Sequence, residues 1–187
     1  MKPGFAGAQK AAGVHMKNKI FIRDAKAGDA GEIARVNVYG WRTAYAGIMP
    51  AEFLLGRSVE SSRAGWEKNL AAKRGLVLVA EKDGGICGFA SGGRAREGLP
   101  GFDSEIYAIY VDQAVRGLGA GAALMRAFFG RQAALGARNC ALWVLEENPY
   151  RKFYEKMGGT LLSLKKTAEF GGKSLTEAAY AWNKLEL

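Results

Sequence analysis

The stretch Ile106–Phe129, IYAIYVDQAVRGLGAGAALMRAFF, sets the tightest limits on what this chain can fold into. It opens on an apolar run, Ile106–Val111, long enough for one buried strand and rich in β-formers. A short polar loop, Asp112–Val115, leads into Arg116-Gly117-Leu118-Gly119-Ala120-Gly121. From there the apolar period is helical, with Leu118, Ala122, Met125 and Phe129 on one face. Strand, glycine-rich loop and helix start, in that order, leave backbone N–H groups free at the positive end of a helix dipole, which is a seat for a pyrophosphate. Glycines keep Cβ atoms from holding the phosphates off the backbone. The loop is not a P-loop, because no Gly-Lys-Ser/Thr closes it, and Ala122 and Leu124 depart from G-x-G-x-x-G.

The rest of the chain builds around that unit. Its 187 residues suit one domain with a core of its own, here residues 19–187, after a Gly-, Ala- and Lys-rich leader at 1–18 in which Met16 is an alternative start. The leader has no apolar core of signal-peptide length, and no run is long enough to span a bilayer, so a cytoplasmic protein without a membrane partner is expected. Cys87 and Cys140 lie in strand-like contexts without metal-ligand spacing and read as buried, reduced thiols. The chain has a single histidine, His15 in the leader, which excludes a histidine-based triad and leaves no metal site to expect; acid–base chemistry falls to carboxylates, Tyr, Cys, Lys or water. The net charge of +9 invites a nucleic-acid reading, but Lys2, Lys10, Lys17 and Lys19 crowd the acid-free start and the other basic residues are spread singly. That pattern argues against a nucleic-acid partner and suits a polyanionic cofactor equally well.

Read in order, Lys19–Asp24 makes a first strand, and Gly28-Asp29 turns into a helix with Ile33, Val36, Gly40 and Ala44 at helical spacing. Val59–Lys73 is a second helix. Leu76–Ala80 and Gly85–Ser91 flank Asp83-Gly84 as a hairpin, and residues 92–103 read as a mobile loop near the site. Asn139–Leu145 is an interior strand, and Asn148-Pro149 opens a short helix stopped by Gly158-Gly159. Thr160–Thr167 and Ser174–Leu185 are two last strands joined at Gly171-Gly172. The order βααβββαβαββ predicts an α/β sheet of about seven strands with flanking helices.

Two motifs in sequence order carry a resemblance. Arg116, Gly119 and Gly121 give Arg-x-x-Gly-x-Gly directly after the strand, and further along stands Asn148 followed by Phe153-Tyr154-Glu155-Lys156-Met157-Gly158. The chain from about residue 19 onward resembles the GNAT superfamily of acetyl-CoA-dependent N-acetyltransferases. The resemblance implies a mixed, mostly antiparallel sheet and acetyl-CoA as cofactor. It implies that the backbone of Ile109, Tyr110 and Val111 holds the pantetheine, and that Arg116, Gly117, Leu118, Gly119, Ala120 and Gly121 wrap the pyrophosphate. Tyr154 matches the tyrosine that protonates the leaving sulfur, and Glu105 a glutamate that deprotonates the amine, often through water. Asn148 either contacts coenzyme A or caps its helix. The chain departs from the family in Pro149-Tyr150-Arg151-Lys152 between the asparagine and the aromatic pair, and in Gly158-Gly159 where Gly-Phe is usual.

The resemblance implies a primary amine as acceptor. Asn37, Trp41 and Tyr45, at i, i+4 and i+8, form a stripe beside the buried face of the first helix; the rings are either core or the lining of an acceptor pocket. The pocket reading favours a small or amino-acid-like amine. Two other classes stay open: a catalytically silent acyl-CoA-binding regulatory protein, and an RNA-associated acetyltransferase. The resemblance also admits a homodimer that exchanges the C-terminal strand.

Overall fold

The computed structural model describes residues 19–185; the leader, with Met16 and His15, lies outside the described residues. Seven strands make one sheet: β1 (Phe21–Asp24), β2 (Leu76–Lys82), β3 (Gly85–Arg94), β4 (Ser104–Val111), β5 (Cys140–Leu145), β6 (Thr160–Phe170) and β7 (Lys173–Trp182). Their spatial order is β1-β2-β3-β4-β5-β7-β6, and every neighbouring pair is antiparallel except β4–β5. The helices are α1 (Ala30–Ala44), α2 (Ala51–Gly56), α3 (Val59–Ala71), α4 (Ala120–Ala134) and α5 (Lys152–Lys156).

The sheet is covered on both faces, which is why its central strands are apolar throughout instead of alternating. Leu78, Ala80, Ala90 and Ile106 pack with Leu124, Met125, Phe128 and Phe129 of α4. The alternate residues Val77, Val79 and Phe89 pack with Ile33 and Val36 of α1 and with Trp66 of α3. A side-chain cap opens α3, where the Ser61 N–H donates to Ser58 Oγ at 3.0 Å. The face of α4 differs from the expected one. Met125 and Phe129 lie in the core as expected, but Leu124 and Phe128 share it, while Ala122 is half-buried and Leu118 precedes the helix and is 55% exposed. Small residues at 117–123 carry too little hydrophobic contrast to fix the phase of the helix, and the bulky ones further on do.

Further differences concern ends and loops. The segment after α1 contains the extra short helix α2, and the hairpin strands run longer than expected, to Arg94 in β3 and Phe170 in β6. Residues 149–151 are turns, so α5 begins at Lys152. Instead of capping that helix, Asn148 accepts the Tyr150 N–H on Oδ1 at 2.8 Å, an Asx turn. Residues 95–103 form a tied loop. Leu99 is buried under it, Asp103 N–H donates to Asn139 Oδ1 at 2.6 Å, and Asp103 is paired with Arg138 at 2.9 Å.

One feature of β4 positions everything that follows. It pairs with β3 along its whole length, with a register shift between Ser91 and Gly92 that leaves Tyr107 as the extra residue of a bulge. Against β5 it pairs only at Ser104↔Cys140, Glu105↔Ala141 and Ile106↔Leu142. The parallel pairing therefore stops where the bulge begins. Beyond that point β4 follows β3 while β5 stays with β7, from Trp143↔Ala179 to Leu145↔Glu177. The two central strands splay apart, and the backbone of 107–111 has no partner strand on its β5 side.

Candidate active site

A cavity of about 430 Å³ opens from the splay. Ile109, Tyr110 and Val111 form one wall, and Arg116, Gly117, Gly119, Ala120 and Gly121 the floor. Asn148, Tyr150, Phe153 and Tyr154 close the opposite side. The loop and the strand expected to hold a cofactor thus meet in one place, with Leu118 pointing away from it. Volume and apolar walls suit a ligand arm of drug-like cross-section.

The floor has the chemistry of an anion seat. Gly119 caps α4 at φ +88° and ψ 0°, a left-handed conformation that suits glycine, and a Cβ there would meet no protein atom within 4 Å. The first bond of the helix runs from Ala123 N–H to Gly119 O at 2.9 Å, so the N–H groups of Ala120, Gly121 and Ala122 precede the hydrogen-bond ladder. Open space over a left-handed glycine, free N–H donors and the positive helix end together fit a pyrophosphate. Arg116 stands beside them. Its guanidinium lies 4.5 Å from the Tyr150 ring centroid and Nη1 donates to Tyr150 Oη at 2.5 Å, holding the charge at the mouth of the cavity.

The opposite wall carries phenols. Tyr154 packs its ring against Phe153 at 5.4 Å and Tyr180 at 5.7 Å, and burial pushes its pKa well above the ordinary tyrosine value. Its hydroxyl has no hydrogen-bond partner among the described residues. Tyr110 is raised too, by burial first and then by Tyr45. Tyr45, raised by burial, interacts with Tyr110 and accepts a hydrogen bond from Asn148 Nδ2 on Oη at 3.4 Å. Asn148 thus holds the turn with one amide atom and faces Tyr45 with the other.

The expected acceptor stripe divides. Tyr45 joins the cavity through Tyr110 and Asn148, whereas Asn37 and Trp41 do not line it. Trp41 sits in an aromatic cluster with Tyr45 at 5.2 Å, Phe170 at 6.1 Å and Phe53 at 6.3 Å, and Asn37 is buried. Glu105 is fully buried and also lies off the cavity, with its carboxylate taken up by Arg96. Arg96 donates its backbone N–H to Oε2 at 2.9 Å and its Nε at 3.0 Å, and its Nη2 to Oε1. Neither cysteine is free for nucleophilic work: both are buried, and burial pushes the Cys140 thiol up to about 12.

Sequence reasoning passed over Tyr150 and Phe153 as cavity walls and Arg57 as a neighbour of the stripe. Tyr150 falls at helical spacing that does not materialise. Arg57, on the link between α2 and α3, has no local pattern to mark it.

The comparisons with known proteins agree with this geometry. A profile of the Acetyltransferase (GNAT) domain matches residues 73–158, the span from β2 through α5. An uncharacterized N-acetyltransferase, YuaI, of Bacillus subtilis is 30% identical over 166 residues, covering 89% of this chain and 94% of its own. Among solved structures, an N-acetyltransferase from Staphylococcus aureus aligns over 90% of this chain and 99% of its own, at 23% identity and a TM-score of 0.64. YncA, a putative acetyltransferase of Salmonella typhimurium solved with acetyl-CoA, aligns over 89% and 94%, at 21% identity and 0.63. The PaiA N-acetyltransferase of Thermoplasma acidophilum, in complex with coenzyme A, aligns over 85% and 98%, at 20% identity and 0.65. These structures share the sheet, and the Bacillus relative shares the sequence along nearly its whole length. The splayed strands, the glycine cradle and that relationship lead to one assignment: the chain belongs to the GNAT family of acetyl-CoA-dependent N-acetyltransferases.

Proposed function

We propose that this protein moves an acetyl group from acetyl-CoA to the primary amine of a small acceptor, by direct transfer in a ternary complex. The observation that carries the reading is the splay of β4 from β5, which runs into the α4 cradle and has the unpartnered Tyr154 phenol on its far wall. When bound, acetyl-CoA supplies a thioester, an acyl carbon already activated toward amines. Gly117, Gly119, Ala120 and Gly121 would hold the pyrophosphate through backbone N–H groups, with Arg116 and Tyr150 at the mouth. The backbone of Ile109–Val111 would pair with the pantetheine amides, and an N–H there would draw negative charge onto the thioester oxygen.

Two proton movements remain. As the C–N bond forms and the C–S bond breaks, the departing sulfur takes a proton and the amine gives one up. Tyr154 suits the first: burial keeps its phenol protonated across neutral pH, and no acceptor among the described residues competes for that proton. For the second, Glu105 is poorly presented, since Arg96 already fills its carboxylate. We assign Glu105 to positioning residues 95–103 and leave the amine proton to water. Direct transfer is favoured because the cavity walls offer no cysteine, serine or lysine to carry the acetyl group.

The test is acetyl-CoA-dependent thiol release with a panel of small amines. Tyr154→Phe is expected to lower kcat by roughly 100-fold while leaving the KM for acetyl-CoA within a few-fold, the range for loss of a general acid. Equal kcat for the two proteins would remove Tyr154 from the chemistry. A stable acetylated protein seen by intact mass after incubation with acetyl-CoA alone would contradict direct transfer.

A further inference from the structure

Arg57 has no part in the proposed reaction. It lies on the link between α2 and α3, with its guanidinium stacked 4.0 Å from the Trp41 ring centroid. One terminal nitrogen reaches Asn37 Oδ1 at 3.5 Å, and Nε is buried with no hydrogen-bond partner among the described residues. It forms no ion pair with a carboxylate among the described residues; burial lowers its pKa, and the Tyr110 phenol on the cavity wall acts on it in the opposite sense. Of the other half-buried arginines, Arg23 is paired with Asp29 and Glu81 and Arg35 with Asp112, whereas Arg42 and Arg116 place their donors on carbonyl and hydroxyl oxygens.

A half-buried guanidinium without a counter-anion is costly, and this one is held stiffly by ring stacking. Its planar fork matches a compact oxyanion better than any other group. From Arg57 the contacts run through Trp41 to Tyr45, and from Tyr45 to Asn148 and Tyr110 at the cavity. The two ends of that chain are the two ends an acceptor would need, an anion seat and a place for the reacting amine.

We propose that Arg57 recognises an acidic group on the acceptor, so that the substrates of this enzyme are small amines bearing a carboxylate, of the amino-acid type. The inference rests on the acetyltransferase reading above and sharpens it. Polycationic aminoglycan-like acceptors would be repelled by Arg57, and neutral amines would leave it unpaired. Asn37 and Trp41, which do not touch the cavity, then act by holding the guanidinium in place.

The experiment uses the twenty amino acids, each beside its own carboxamide, with kcat/KM read from thiol release and acetyl-CoA binding measured separately by calorimetry. The carboxamide has the less basic amine, so chemistry alone favours it, and a preference for the acid reports recognition. Wild type is expected to favour the acid in the pairs it accepts by roughly 10- to 100-fold, mostly through KM. Arg57→Gln should bring that ratio close to one, and Arg57→Lys should keep part of it, because a point charge replaces a fork. Acetyl-CoA affinity should be the same in all three proteins, which reports an intact fold. Equal use of acid and carboxamide by wild type, an unchanged ratio in Arg57→Gln, or acetyl-CoA binding with no turnover of any pair would each overturn the acidic-acceptor assignment and leave the family reaction standing. Failure of wild type to bind acetyl-CoA would instead sink the reading beneath it.

Discussion

Glu105 is fully buried, and three donors of a single residue, Arg96, converge on its carboxylate. More than half of the Arg96 side chain is exposed, so water screens the pair and its contribution falls below that of a fully buried one. Removing the arginine still leaves a buried carboxylate with only a backbone N–H to face. Arg96→Ala is therefore expected to cost about 1–3 kcal/mol of unfolding free energy in a urea titration. Glu105→Gln should cost less, because the amide oxygen keeps the Arg96 N–H bond and no charge is stranded. A positioning role also predicts that Glu105→Gln lowers kcat/KM without reshaping its pH profile. Loss of the acidic limb in that variant would return the base to Glu105. Tyr154 carries the complementary sign: its raised pKa keeps the acid form well past neutrality, so no alkaline loss of kcat from this residue is expected below about pH 10.

Among the elements, the close approach of α1 to β4 determines where the phenols stand. A Cβ on Gly40 would lie 2.5 Å from Cδ1 of Tyr110, so only glycine lets the helix lie against that ring. Gly40→Ala gains roughly 1 kcal/mol of helix propensity but overpacks the contact by about 1–3 kcal/mol. The clash should win, lowering the melting temperature and pushing Tyr110 toward the cavity, with weaker acetyl-CoA binding. A more stable variant with unchanged binding would mean that propensity alone governs this position. The same helix shows what sequence pattern can and cannot carry. Gly40 and Ala44 stood on the expected inner face, and Asn37, Trp41 and Tyr45 on a stripe beside it, because a 3.6-residue period is written into the chain. Whether that stripe meets a cofactor, a core or an arginine depends on β6, which is distant in sequence, and on how α2 and the 57–58 link fold back on the helix. Local chemistry marked β4, the glycine loop and α4 as one unit. It gave no sign of the bulge at Tyr107, because a bulge is set by the register against β3. The phase of α4 and the start of α5 were misread where small residues and a Pro-Tyr-Arg-Lys run blur the periodicity.

Across the whole molecule, a sheet covered on both faces is interrupted at one place. The parallel pair β4–β5 holds together only through Ser104, Glu105 and Ile106, and the cost of unpaired backbone beyond them is offset if a ligand's amides take the place of a strand. No described helix is long and apolar enough to cross a membrane, and the described residues hold no His, Cys, Asp and Glu cluster that could bind a metal ion. The cavity that opens there is lined at one end by the start of α4 and at the other by phenols. The central claim is that this interruption is a seat for acetyl-CoA. Calorimetric titration of the wild-type protein and of Gly119→Glu with acetyl-CoA tests it most directly. A Cβ at Gly119 meets no protein atom within 4 Å, so the main cost to the variant's fold is the strain of its left-handed backbone, about 1–2 kcal/mol. The account predicts saturable binding by wild type and none by the variant, with superimposable circular dichroism spectra. No binding by wild type, or equal binding by both proteins, would contradict it.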